Sequence, residues 1–179
     1  MTWVVMFFAL PAGVLLQTWL PGFTWLGGAK CPFLASMVLY YAFNRSPAVM
    51  LAAATAAGFL QDGLSPIPFG YSSFCFSLIG LLAAAFRQMV LSESVTTQIT
   101  FGAAAGAALA MGMHVLLSAA GLVHYAFGWT VLKVLGTGVL GGVVAPLTFR
   151  GIGALDRLVG NVSEEGEPQE RIHGFRWSA

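Results

Sequence analysis

Charge is what this chain has least of. Only 8% of its 179 residues are Asp, Glu, Lys or Arg, against about 25% in a soluble domain. So few charges cannot coat a water-soluble globule. With 58% hydrophobic residues and a mean hydropathy of +0.81, the long apolar runs imply an all-α integral membrane protein. A net charge of +1 points away from a nucleic-acid partner. Cysteine is scarce too. Cys31 and Cys75 lack the paired spacing of a metal or redox site and read as small apolar residues in helices. Catalytic motifs are missing: there is no Gly-rich phosphate loop, no HExxH and no GxSxG. Nothing here implies an enzyme or a cofactor. The N-terminus lacks the basic region and small-residue cleavage site of a secretory leader, so its apolar run to Leu20 reads as a retained first helix.

What is present is a series of apolar segments of near-spanning length. A helix needs about 20 residues to cross a hydrocarbon core about 30 Å thick. The expected spans are 3–20, 30–43, 47–62, 68–86, 96–123 and 129–149, within a single transmembrane domain covering 1–160. Pro11 is a kink point in the first, and Pro32, Pro47 and Pro68 suit first helical turns. The second segment is short, so the count is six, or five if that segment is re-entrant. Residues 161–179 are polar and read as a disordered cytoplasmic tail. Basic residues concentrate on the cytoplasmic side. With both termini inside, Arg45, Arg87, Arg150, Arg157, Arg171 and Arg176 fall inside, and Lys30 and Lys133 fall outside.

Small residues recur at four-residue spacing in the last two spans: Gly102 and Gly106, then Gly138 and Gly142. That spacing lets helix backbones approach closely, either within this bundle or against another membrane protein. His114 falls mid-span, where a polar group usually has a partner; an interhelical hydrogen bond is preferred to a ligand role. His124 and Tyr125 read as interfacial residues.

Asp62 is the only acid in the first 92 positions. It ends the third segment, where the partial negative charge of a helix C-terminus disfavours it, so capping of its own helix does not explain it. It either faces water or is held by a partner. With the N-terminus inside, Lys30 and, second, Lys133 share its layer, so an Asp62–Lys30 ion pair is expected. Beyond it, Gly63 suits a left-handed helix end. Pro66 and Pro68 stiffen the connection, and Gly70 suits a close approach at the next helix start.

Two stretches carry a family resemblance. Gly58-Phe-Leu-Gln-Asp62, followed by Pro68-Phe-Gly70, resembles the G-[LF]-L-x-D and P-[LF]-G runs of MreD, the bacterial rod shape-determining membrane protein family. Lys30 to Pro47, with its basic-Pro start at Lys30 and Pro32, aromatic pair and short basic turn, is similar to the family's second segment, and Arg87 also fits. Phe33 stands where the family often has an acid. The resemblance covers about residues 30–90. It implies a non-enzymatic component of the cell-elongation machinery in the bacterial inner membrane. That component associates with MreC and, through it, with actin-like MreB and the peptidoglycan glycosyltransferase and transpeptidase. It also implies a fold similar to the six-helix substrate-binding subunits of energy-coupling-factor vitamin transporters. Such a small-molecule-binding transporter subunit is therefore the alternative. A cavity of about 300 Å³ or more with convergent polar groups is what that alternative requires.

Overall fold

Proline and glycine divide the chain into helices. A computed structural model describes residues 2–66, 68–87, 94–122, 127–158 and 160. Its helices are α1 (Thr2–Trp19), α2 (Phe33–Asn44), α3 (Pro47–Gly63), α4 (Tyr71–Phe86), α5 (Val95–Ala119) and α6 (Phe127–Leu158). The expected tail at 161–179, with Arg171 and Arg176, lies outside the described residues, as do His124 and Tyr125. Among the described residues, three helices are long and apolar enough to cross a membrane: Thr2–Trp19, Val95–Ala119 and Gly128–Leu158.

The centre is α2. Every residue from Leu34 to Phe43 is buried, and α1, α3, α4, α5 and α6 all pack on it. A helix apolar all round is stable only when it is enclosed in this way. Its 12 residues measure about 18 Å, short of the roughly 30 Å apolar layer. Edge-to-face rings close its lower half, Phe43 against Phe101 and Tyr40 against Phe149. The helix ends where Pro47 forces Ser46 into an extended conformation, and Pro47 then begins α3. By contrast, α1 turns Trp3, Phe7, Phe8 and Trp19 outward. An apolar exterior around an enclosed core suits lipid as solvent.

Residues 21–30 form a compact loop. A 3₁₀ turn (Thr24–Leu26) is closed by the Phe23–Ala29 bridge. Gly27 has φ +67° and lies so close to Lys133 that an added Cβ would sit 2.9 Å from its backbone nitrogen. The loop therefore docks on α6.

Several boundaries differ from expectation: α2 begins at Phe33 rather than residue 30, and α5 ends at Ala119 rather than residue 123. The fourth helix begins at Tyr71 rather than Pro68. Gly70, at φ +101°, turns the chain into it, and a Cβ there would meet nothing within 4 Å. Its glycine serves a left-handed turn, not close packing. Gly63 is the last residue of α3 and is not among the left-handed glycines. Finally, α6 continues past residue 149 to Leu158, with Ile152 and Asp156 buried in its last turns.

Gly58 fixes the α3–α4 contact, since a Cβ on it would collide with the Ser73 backbone. Gly58→Ala is expected to force the two helices apart and cost about 1–3 kcal/mol. Gly63→Ala, where the added carbon meets only Phe69 Cε1 at 3.8 Å, is the control. Unfolding in detergent reads both; equal stabilities would refute the packing account.

Candidate functional site

Two polar clusters sit at opposite ends of the bundle. At one end, Asp62 is 2% exposed, although it closes an apolar helix. Its carboxylate accepts the Gly70 N–H at 2.7 Å and the Ser72 N–H at 3.3 Å. These are donors at the start of α4, which its own N-cap side chain leaves unsatisfied. The expected ion pair is therefore corrected. Asp62 is held by backbone N–H groups, and Lys30 is an exposed residue ahead of α2. Asp62 is a cap after all, but of the next helix. At the C-terminus of α3 its charge is unfavourable; at the N-terminus of α4 it is favourable. The hairpin brings both termini to one place.

Glutamines extend this cluster across the bundle. Gln61 Nε2 donates to Ser72 Oγ at 3.2 Å, Gln17 Nε2 to Gln61 Oε1 at 3.2 Å, and the Leu34 N–H to Gln17 Oε1 at 3.4 Å. One chain of hydrogen bonds thus joins α1, α2, α3 and α4. Pro32, just ahead of α2, contributes its carbonyl, which accepts the Ser36 N–H at 3.1 Å. Pro68 is exposed in the α3–α4 connection.

Above this chain lies a cavity of about 860 Å³. Val14, Leu109, Met113 and Val134 contribute apolar wall; Gln17, Gln61, His114, Thr130, Lys30 and Lys133 contribute polar groups. His114 Nε2 lies 3.5 Å from Thr130 Oγ1, between α5 and α6. Both lysines that sequence reasoning placed with Asp62 thus meet around this hollow rather than on the acid. Among the described residues no cluster of three or more His, Cys, Asp or Glu could hold a metal ion. Cys31 and Cys75 are free and buried.

The glycines of α5 and α6 lie along one internal seam. A Cβ on Gly102 or Gly106 would come within 2.5 Å of an α6 carbonyl, of Gly141 or Thr137. Gly138 and Gly142 approach Ala103 from the other side. Gly141, which the four-residue spacing passes over, would collide with the Gly102 carbonyl if it carried a Cβ. Close approach of this kind strengthens dispersion contact between helices in lipid.

At the opposite end, Asp156 of α6 accepts from Tyr40 Oη at 2.7 Å and from Arg45 Nη2 at 2.9 Å. Arg87 Nη1 donates to the Arg45 carbonyl at 2.9 Å. The latch gathers α2, α4 and α6. Sequence reasoning missed Asp156 because its helix was ended at residue 149; a lone acid seven residues beyond an apolar run is the signal that could have found it.

An all-helical chain with an enclosed central helix, an apolar exterior and polar clamps at both ends is a membrane protein by architecture. The chain matches the family model of rod shape-determining protein MreD over residues 1–148, and it belongs to that family. No curated protein and no solved structure matches it. The matched region includes Asp62 and the cavity; Asp156 lies beyond it.

Two substitutions test the clamps. Asp62→Ala leaves buried N–H groups unmet and is expected to cost about 1–3 kcal/mol, whereas Lys30→Ala is expected to leave stability unchanged. Asp156→Ala removes the carboxylate from an ion pair whose side chains are 12% and 6% exposed, a loss of about 3–5 kcal/mol. Chemical unfolding in detergent measures both. Equal losses for Lys30→Ala and Asp62→Ala would restore the ion-pair account.

Proposed function

We propose that the protein is a non-enzymatic scaffold of the bacterial cell-elongation complex, crossing the inner membrane six times with both termini in the cytoplasm. The observation that carries the role is membership of the MreD family across residues 1–148. Orientation is supported by the separation of basic residues between the two ends of the bundle. Arg45 and Arg87 lie in the Asp156 latch, with Arg150 and Arg157 on the same end of α6; Lys30 and Lys133 meet at the cavity. The arginine end is then cytoplasmic and the Asp62 end periplasmic. The short α2 is shielded from lipid by its neighbours, so its length does not bar a six-span arrangement.

In this role the chain binds an MreC-like single-span membrane protein. Through that partner it helps to position peptidoglycan glycosyltransferase and transpeptidase relative to an MreB-like filament. The exposed apolar surface supplies the lateral face that a membrane partner needs.

Orientation is checked in cells carrying Cys31→Ser and Cys75→Ala. A membrane-impermeant maleimide is expected to label an added Leu64→Cys and to spare Leu158→Cys; the reverse pattern overturns the orientation. The role is checked by depletion in the native host and by purification of the tagged chain. Rods are expected to round up, and a single-span protein with a periplasmic coiled coil is expected to co-purify. Rods that keep their shape after depletion would reject the role.

A further inference from the structure

The cavity at the Asp62 end is not explained by a scaffolding role. Its volume of about 860 Å³ falls within the roughly 300–1,000 Å³ range of small-molecule sites. It lies between α1, α3, α5, α6 and the 21–30 loop. Glycines seat that loop: a Cβ on Gly27 or Gly136 would come within 3 Å of the opposite element. Mouth and interior differ in character. Lys30, Leu64 and Trp129 are exposed, Gln17, Gln61 and His114 are half-buried, and Thr130 is buried.

The interior is polar without being charged. Lys30 and Lys133 are exposed residues, Lys133 has a partner of its own, and no Asp, Glu or Arg among the described residues lines the space. An ion drawn inside would exchange water for neutral groups, at a cost. What the interior offers is spare hydrogen bonding. A side-chain amide has two N–H donors and two acceptor positions. Gln17 gives one N–H to Gln61 Oε1 and accepts the Leu34 N–H; Gln61 gives one N–H to Ser72 Oγ and accepts from Gln17. Each glutamine therefore keeps a donor and an acceptor position among the described residues. His114 Nε2 and Thr130 Oγ1, 3.5 Å apart, stand at the limit of a hydrogen bond and are open to better partners. Val14, Leu109 and Met113 supply apolar wall, and Trp129, 59% exposed, stands at the mouth.

We propose that this cavity binds an uncharged N-acetylated amino sugar, the class of unit from which the peptidoglycan glycan is built. The acetamide N–H and carbonyl match the spare acceptor and donor of the glutamine pair. Ring hydroxyls, each donor and acceptor, suit His114 and Thr130. The acetyl methyl meets the apolar wall, and the C–H face of the sugar ring stacks on the Trp129 indole. A sugar with hydroxyls alone would leave the apolar wall uncovered and the amide pairing unmade. The choice of sugar rests on the wall-synthesis role and orientation proposed above, which turn the mouth to the periplasm. Binding itself is tested on the isolated chain, so either reading can fail alone.

The full chain, purified in a detergent without a sugar head group, is melted with N,N′-diacetylchitobiose or with cellobiose, which carries hydroxyls in place of the acetamides. Saturable stabilisation by diacetylchitobiose alone is expected; cellobiose at the same concentration accounts for the general stabilising effect of excluded sugars. Trp129→Ala, which removes the stacking face, and Ala110→Leu, which narrows the cavity, are each expected to weaken affinity about fivefold or more. Both variants should melt like the parent without sugar, which separates loss of a site from loss of the fold. A variant that melts lower is replaced by Trp129→Leu or Ala110→Val, with the same expectation. Equal stabilisation by cellobiose removes the acetamide from the recognition and overturns the proposal, as does no stabilisation by diacetylchitobiose. Full affinity in either variant places binding elsewhere and also overturns it. Rods that round up on depletion of a chain that binds no sugar would reject this inference and leave the role; sugar binding by a chain whose depletion leaves rods intact would do the reverse.

Discussion

The carboxylate of Asp62 on the first turn of α4 is the constraint from which the rest of this end follows. In an apolar surrounding, helix-start N–H groups have no water to turn to. α4 begins at a left-handed glycine that has no side chain to cap it. The acceptor must come from elsewhere, and the α3–α4 hairpin delivers it. Gly58 must then be bare so that α3 can approach Ser73, and Gln61, one residue before the acid, is aimed at Ser72. From Gln61 the hydrogen bonds run to Gln17 and to the start of α2. One buried charge thus sets the hairpin, the neighbouring polar chain and the floor of the cavity.

The other end uses a different solution. There the buried acid, Asp156, meets a guanidinium and a phenol rather than backbone N–H groups. Arg45 is placed by the sharp exit from α2, where Pro47 prevents the helix from continuing. Because α2 is too short to span alone, its C-terminal polar groups would lie within the bundle, and α6 reaches over to satisfy them. The length of α6, 32 residues or about 48 Å, makes sense on this account. Its last turns serve the latch rather than the crossing.

Much of this was legible in the residues. Low charge and apolar runs give membrane helices, and the proline positions divide them, because each rests on local chemistry. Asp62 was legible as an anomaly but not as a cap. Its partners, Gly70 and Ser72, are uncharged backbone donors that leave no mark in a search for opposite charges. The left-handed turn falls to Gly70 rather than Gly63, because either glycine can take it and packing decides which does. Asp156 was hidden by treating the end of the apolar run as the end of the helix. The cavity was hidden most completely. A hollow has no residue of its own, and the two lysines that line it had been assigned to an acid.

α6 is the element common to both ends. Lys133 lines the cavity near its start, and Asp156 closes the latch near its finish. Between them the α5 seam holds it backbone to backbone, with Gly138, Gly141 and Gly142 leaving no slack for side chains to rearrange. Such packing resists sliding, because any shift brings a Cα or carbonyl into contact before a rotamer can adjust. Pro146 is a local weak point, since it removes one helical hydrogen bond. It lies between the last glycine of the seam and the latch. Movement of α6, if it occurs, is therefore confined by construction to its latch end, while the segment bearing Lys133 and the cavity wall stays fixed to α5. The cavity borders the half of the helix that the glycine seam holds.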